Sequence, residues 1–224
     1  MGMKAKVALG AVVGVVVIGA VSANAGSSGK DGGPGGSGKG SSASAGHTPG
    51  STKDKKKAAA IAGDGEYQVG SDVKPGTYRT TGNTDDMCYW ERAKDAKGET
   101  ESLLANDNVT GTSYVTIKPT DKIFKSTGCK DWEAVGPRTK GTPASSMNGD
   151  GGMFKVGTDI APGTYRSTGN TADDNCYWER AKDAEHGPNS LIANDNVTGT
   201  AVVTISPGDA YFKTSGCGDW KKAA

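Results

Sequence analysis

The chain has 224 residues, 35 of them glycine, with 34% hydrophobic residues and a formal net charge of +1. Such a composition is too poor in apolar residues for one large core and points to two small domains. Counted by segment the charge divides: residues 64–132 hold nine Lys/Arg against twelve Asp/Glu and residues 149–220 hold five against ten, so the folding segments lack the basic face that nucleic-acid binding requires.

In chain order, residues 1–25 read as a secretory signal peptide, with Lys4 and Lys6 before an apolar run from Val7 to Val21 and a small-residue site at Ala23-Asn24-Ala25. The run is about 15 residues where a spanning helix takes about 20, and Gly10, Gly14 and Gly19 interrupt it. Cleavage before Gly26 is expected, with a retained membrane anchor as the alternative. Residues 26–63 are rich in Gly, Ser and Lys without apolar periodicity, which describes a disordered linker. A first β-domain is expected over 64–134, a second linker over 135–151 and a second β-domain over 152–222.

The two domains are copies. VGSDVKPGTYRTTGNT from Val69 returns as VGTDIAPGTYRSTGNT from Val156, and CYWERAKDA from Cys88 returns from Cys176. With one residue inserted near Ala172, 44 of 66 aligned pairs are identical, which identifies a tandem duplication. A period near 87 exceeds that of solenoid repeats, so each copy is expected to fold alone and to reorient about the second linker. Cys88 and Cys129 are 41 residues apart, as are Cys176 and Cys217. The equal spacing selects one internal disulfide per copy from the three possible pairings.

Within a copy, the runs EYQVG, TYRTT, CYWERA, SLLAN, YVTI and KIFKS alternate or are β-branched and are separated by turn residues, predicting about six short strands and no amphipathic helix. Pro75-Gly76 and Pro162-Gly163 are expected to form tight turns. The fold class is therefore all-β, with two tandem antiparallel β-sandwich or jelly-roll-like domains. Alternation places Cys88 and Trp90 inward with Val115 and Ile117, and Tyr89, Glu91, Tyr114 and Thr116 outward.

Neither histidine stands in a catalytic pattern: His47 is in the linker and His186 is in a loop where the first copy has Gly98. Glu91 and Glu179 are the best-placed carboxylates for glycoside hydrolysis, against the plainer reading of ion pairs with Arg79 or Arg92. The NDNVTGT stretches resemble a calcium loop but carry Ile117 or Ile205 where a bidentate Glu belongs. Asp85, Asp86 and Asp107 are the candidate calcium residues, with metal-free Asx turns the expected state and no cofactor anticipated. Arg79, Tyr89, Glu91 and Tyr114, with Arg166, Tyr177 and Glu179 in the second copy, form a candidate binding face. The same alternation also describes a plain solvent-facing sheet side.

The set VGxDIxPGTYR, CYWER, IANDN and GCxxW resembles small β-domains of exported actinobacterial proteins, and the likeness covers both copies. It implies export and adds no ligand or catalytic residue. The expectation is a secreted or cell-surface, non-catalytic binding or structural module whose partner is a cell-wall or extracellular polymer or an exported protein. A secreted inhibitor of an extracellular hydrolase is the alternative, and membrane contact is expected only if the signal segment is retained.

Overall fold

A computed structural model describes residues 61–136, 141–173 and 175–223, without the side chains of Asp85 and Asp86. The signal segment, residues 26–60 of the first linker and residues 137–140 of the second lie outside the described residues. Everything described belongs to one compact unit, Lys53–Ala224.

The first repeat contains β1 (Gly65–Gln68), β2 (Gly76–Ala93), β3 (Leu103–Ile117), β4 (Ile123–Thr127) and β5 (Glu133–Ala134). The second contains β6 (Ser146–Met147), β7 (Gly152–Lys155), β8 (Gly163–Asn170), β9 (Tyr177–Ala181), β10 (Leu191–Asn196), β11 (Gly199–Ile205), β12 (Tyr211–Ser215) and β13 (Trp220–Lys222). Among the described residues there is no α-helix, only a 3-10 turn at Thr100–Ser102.

The second repeat shows the plan most clearly: β7-β12-β9-β10 form one antiparallel layer and β11-β8-β13-β6 the other. In the first repeat, β2 and β3 run through both layers. The later part of β2 pairs with β4, and its start pairs with β5. The break in the second copy falls where Ala172 is inserted and where Asn175 takes a φ of 50°, a left-handed conformation that ends a strand. Both expected turns are displaced toward the N-terminus, to Gly70 and Gly157. The chain reverses at Gly70, whose φ is +104°, with the Asp72 carboxylate accepting the Gln68 N–H at 2.9 Å, while Gly76 already opens β2.

Alternation buries one face of each layer. Val115, Ile117 and Tyr78 meet Trp90, Phe124 and Trp132 in the first core, and Val203, Ile205 and Tyr165 meet Phe212 and Trp220 in the second. In both, Phe and Trp rings stand edge to face with centroids 5.5 Å apart, a contact adding about 0.5–1.5 kcal/mol to area burial. The Cys88–Cys129 and Cys176–Cys217 bridges each close 41 residues. Arg92 turns away from its neighbour Glu91 and into the interior, where Nε lies 2.8 Å from Asp121. Arg180 repeats this with Asp209 at 2.6 Å.

The repeats do not reorient freely. A third core joins them, made of Tyr114 from the first and Met153, Ala181, Ala184 and Tyr211 from the second. The Tyr114 and Tyr211 rings meet at a tilt of 49° with centroids 5.1 Å apart. The Thr112 N–H donates to the Gly151 carbonyl at 2.9 Å and the Thr116 N–H to the Ala184 carbonyl at 2.7 Å, so the second repeat covers the edge of β3. A Cβ at Gly111 would stand 2.3 Å from the Gly151 oxygen, which is why the backbones can approach only through glycine there.

Candidate functional site

In each repeat a tyrosine and a glutamate two residues apart share the outward face of the same strand. The Tyr89 hydroxyl donates to Glu91 at 2.6 Å and the Tyr177 hydroxyl to Glu179 at 2.7 Å. Burial, then the neighbouring carboxylate, pushes the Tyr89 phenol up to about 12, so it is a neutral donor at any physiological pH. Glu91 lines a hollow of about 220 Å³ bounded by Gly98, Ser102 and Leu103. Glu179 lines the equivalent hollow in the second repeat, bounded by His186, Ser190 and Leu191.

The second hollow is larger, about 370 Å³, because Asn106 and Asp107 of the first repeat and Met153 and Lys213 of the second extend it. It therefore lies at the junction. Lys213 Nζ donates to both carboxylate oxygens of Asp107, at 2.6 and 2.7 Å, and this pair also borders an adjoining hollow of about 320 Å³. A charge-assisted pair held at partial burial keeps both long side chains in place, which gives the junction fixed walls.

His186 closes one side of the larger hollow. Its Nε2 lies 2.7 Å from the Tyr114 carbonyl; because a carbonyl oxygen only accepts, Nε2 carries the proton. The ring stands edge-on to Trp90, centroids 4.8 Å apart. Desolvation lowers the His186 pKa below 6.5 despite the opposing effect of Asp107, so the docked ring is neutral. An undocked or unfolded chain takes up a proton near pH 6.5 while the docked chain does not. The docked state is expected to lose stability as pH falls below about 6.5, until the lowered pKa is passed. Urea midpoints measured between pH 5 and 7.5 should show this slope in the native chain and lack it in His186→Gln.

The candidate face of the sequence reading is divided. Tyr89 and Glu91 pair with Asn108 and Asn106 in the larger layer, whereas Arg79 lies opposite Tyr114 and Glu133 in the other layer. Arg79 sits 3.7 Å from Glu133 and 4.0 Å from Asp159. Tyr114, expected outward, is 1% exposed because the second repeat lies on it and Asp159 accepts its hydroxyl at 2.7 Å. Arg166 is exposed, in register with Val202 and Lys221, and does not join Tyr177 and Glu179. Of the calcium candidates, Asp107 is engaged by Lys213 and the side chains of Asp85 and Asp86 lie outside the description.

Lys213, His186, Asn106 and Met153 were not singled out by residue chemistry. A usable signal lay in the differences between copies: Met153 stands where the first repeat has Glu66, His186 where it has Gly98, and Tyr114 where the second has Val202.

A family model described as the Rv1352-like extracellular domain matches residues 59–133 and again 145–221. The uncharacterized protein Rv1352 of Mycobacterium tuberculosis (strain H37Rv) is 30% identical over 85 residues, covering 33% of this chain and 69% of that protein. The uncharacterized protein Mb1387 of Mycobacterium bovis matches to the same extent. No solved structure matches.

Proposed function

The chain belongs to the Rv1352-like extracellular domain family through both of its repeats, and we propose that it is a non-catalytic extracellular binding module whose principal ligand cleft lies where the repeats meet. One observation carries this reading: an equivalent hollow is lined by the same Glu in each repeat, and docking enlarges the second one with Asn106 and the Asp107 that Lys213 holds. Carboxylate, amide, hydroxyl and ammonium groups above a few apolar side chains suit a hydroxyl-rich ligand such as a wall or extracellular polysaccharide. Two hollows held in one unit can engage neighbouring stretches of one polymer, which raises retention without new contacts.

The carboxylates of the cleft favour binding over hydrolysis. Glycoside hydrolysis uses two carboxyl groups free to exchange protons with the substrate. Here Glu179 accepts from Tyr177, Asp107 from Lys213, and Asp183 from the Glu185 N–H at 3.0 Å. Each is committed to a protein donor.

Co-sedimentation of the exported chain with insoluble peptidoglycan, β-glucan and α-glucan tests the proposal. Saturable retention on one of these is expected, falling at least tenfold in Glu91→Gln with Glu179→Gln, with no release of reducing ends. Equal retention of the double variant, or none of the native chain, contradicts it.

A further inference from the structure

The contact between the repeats is one-sided, so the surface the first repeat uses to hold the second exists again on the second repeat, uncovered. On the first repeat this surface is the edge of β3, whose Thr112 and Thr116 N–H groups are taken by the second repeat and whose Tyr114 carbonyl accepts from His186. Arg79 beside it faces Asp159, and Arg92 donates through Nη1 to the Glu185 carbonyl at 2.8 Å. On the second repeat the equivalents are Thr200, Thr204, Val202, Arg166 and Arg180.

Among the described residues nothing pairs with the outer edge of β11, the terminal strand of its sheet. Val202 is 60% exposed where Tyr114 is 1%. A Cβ at Gly199 would meet nothing within 4 Å, whereas one at the equivalent Gly111 would strike the other repeat. The Arg180 side chain is 22% exposed against 4% for Arg92, and its Nε and Nη2 go to Asp209, leaving Nη1 without a partner among the described residues. The charge has also changed. Arg166 has Lys221 as its row neighbour in place of the Glu133 beside Arg79, and no carboxylate among the described residues forms an ion pair with it.

We propose that the free edge of β11 is a strand-addition site that accepts an extended, acidic segment of another exported protein. Three features set the chemistry. Unpaired backbone groups of an edge strand take a strand. Arg166 and Lys221 take carboxylates, as Arg79 takes Asp159. Val202 takes an apolar side chain, as Tyr114 takes Met153 and Tyr211. The first repeat of a second copy is a poor occupant. There the Tyr67 hydroxyl already donates to the Asp64 carbonyl at 2.9 Å, the oxygen equivalent to that of Gly151. Glu66 replaces Met153, and Lys97 with Gly98 replaces Glu185 with His186. That face is closed to addition, so a head-to-tail chain of copies stops at the first repeat.

The segment that already covers the equivalent edge supplies the probe: a synthetic peptide of residues 148–160, NGDGGMFKVGTDI, titrated into the isotopically labelled exported chain. The expected result is amide shifts confined to β11, β8 and β13, an affinity at least tenfold weaker for Arg166→Glu and for Val202→Lys, and loss of binding when the peptide's Asp159 is replaced by lysine. Three outcomes overturn the proposal. These are no shift at millimolar peptide, shifts confined to the junction between the repeats, or sedimentation showing self-association that Val202→Lys abolishes.

Discussion

Replacing Tyr114 with alanine is expected to destabilise the chain by about 3–5 kcal/mol, the range for removing a large ring from a packed interior. The residue is 1% exposed, packs its ring at a tilt against Tyr211, and gives its hydroxyl to Asp159, which also accepts the Lys155 N–H at 2.8 Å. The loss falls on the contact between repeats rather than inside either core. Urea unfolding followed by tryptophan fluorescence should therefore change from one transition into two, as each repeat unfolds on its own. Tyr114→Phe keeps the ring and removes only the hydroxyl, so about 1–2 kcal/mol is expected. Val202→Ala, at the equivalent but uncovered position, should stay within about 0.5 kcal/mol of the native chain.

Removing one disulfide is the second large effect. Closing 41 residues restricts the unfolded chain by about 4 kcal/mol in the loop-entropy account, and a domain of this size has little core to offset the loss. Cys88→Ala with Cys129→Ala should thus lower stability by about 2–5 kcal/mol. Alanine is the appropriate replacement because Cys88 is fully buried and a serine hydroxyl there would need a partner. The matching pair at Cys176 and Cys217 closes a loop of the same length and should cost a similar amount. Denaturation of the native chain with reductant should shift by more than either pair alone.

Much of the fold was legible because it depends on local pattern. Equal cysteine spacing selected the bridges, and alternation in CYWER placed Cys88 and Trp90 inward, where both are fully buried. The binding face was legible only in part. Alternation says which residues share a side of a strand, but β2 passes from one layer to the other through irregular register between Asn83 and Cys88. That passage separates Arg79 from Tyr89 and Glu91. Tyr114 was misplaced because what buries it is the other copy, which no periodicity within one copy can reveal. His186 was set aside as a residue of a variable loop opposite Gly98, yet it meets a carbonyl 72 positions away.

The differences between copies carry what periodicity does not. Duplication makes two equivalent surfaces, and a one-sided contact then needs different residues on each: Tyr114 against Val202, Met153 against Glu66, Ala210 against Lys122. The substitutions turn one face of the first repeat polar and the matching face of the second apolar. What distinguishes the copies is therefore first a record of how they dock, and only then of what they bind.

Docking of the two repeats builds the proposed binding cleft. The most direct test maps, by backbone amide shifts, where soluble peptidoglycan and glucan fragments bind on the exported chain and on Tyr114→Ala. The predicted result is a set of shifts on both walls of the junction, at Asn106 and Asp107 from one repeat and Glu179, His186 and Lys213 from the other, weakened at least tenfold in the variant. Shifts that leave the junction untouched, or that persist unchanged in Tyr114→Ala, would contradict it.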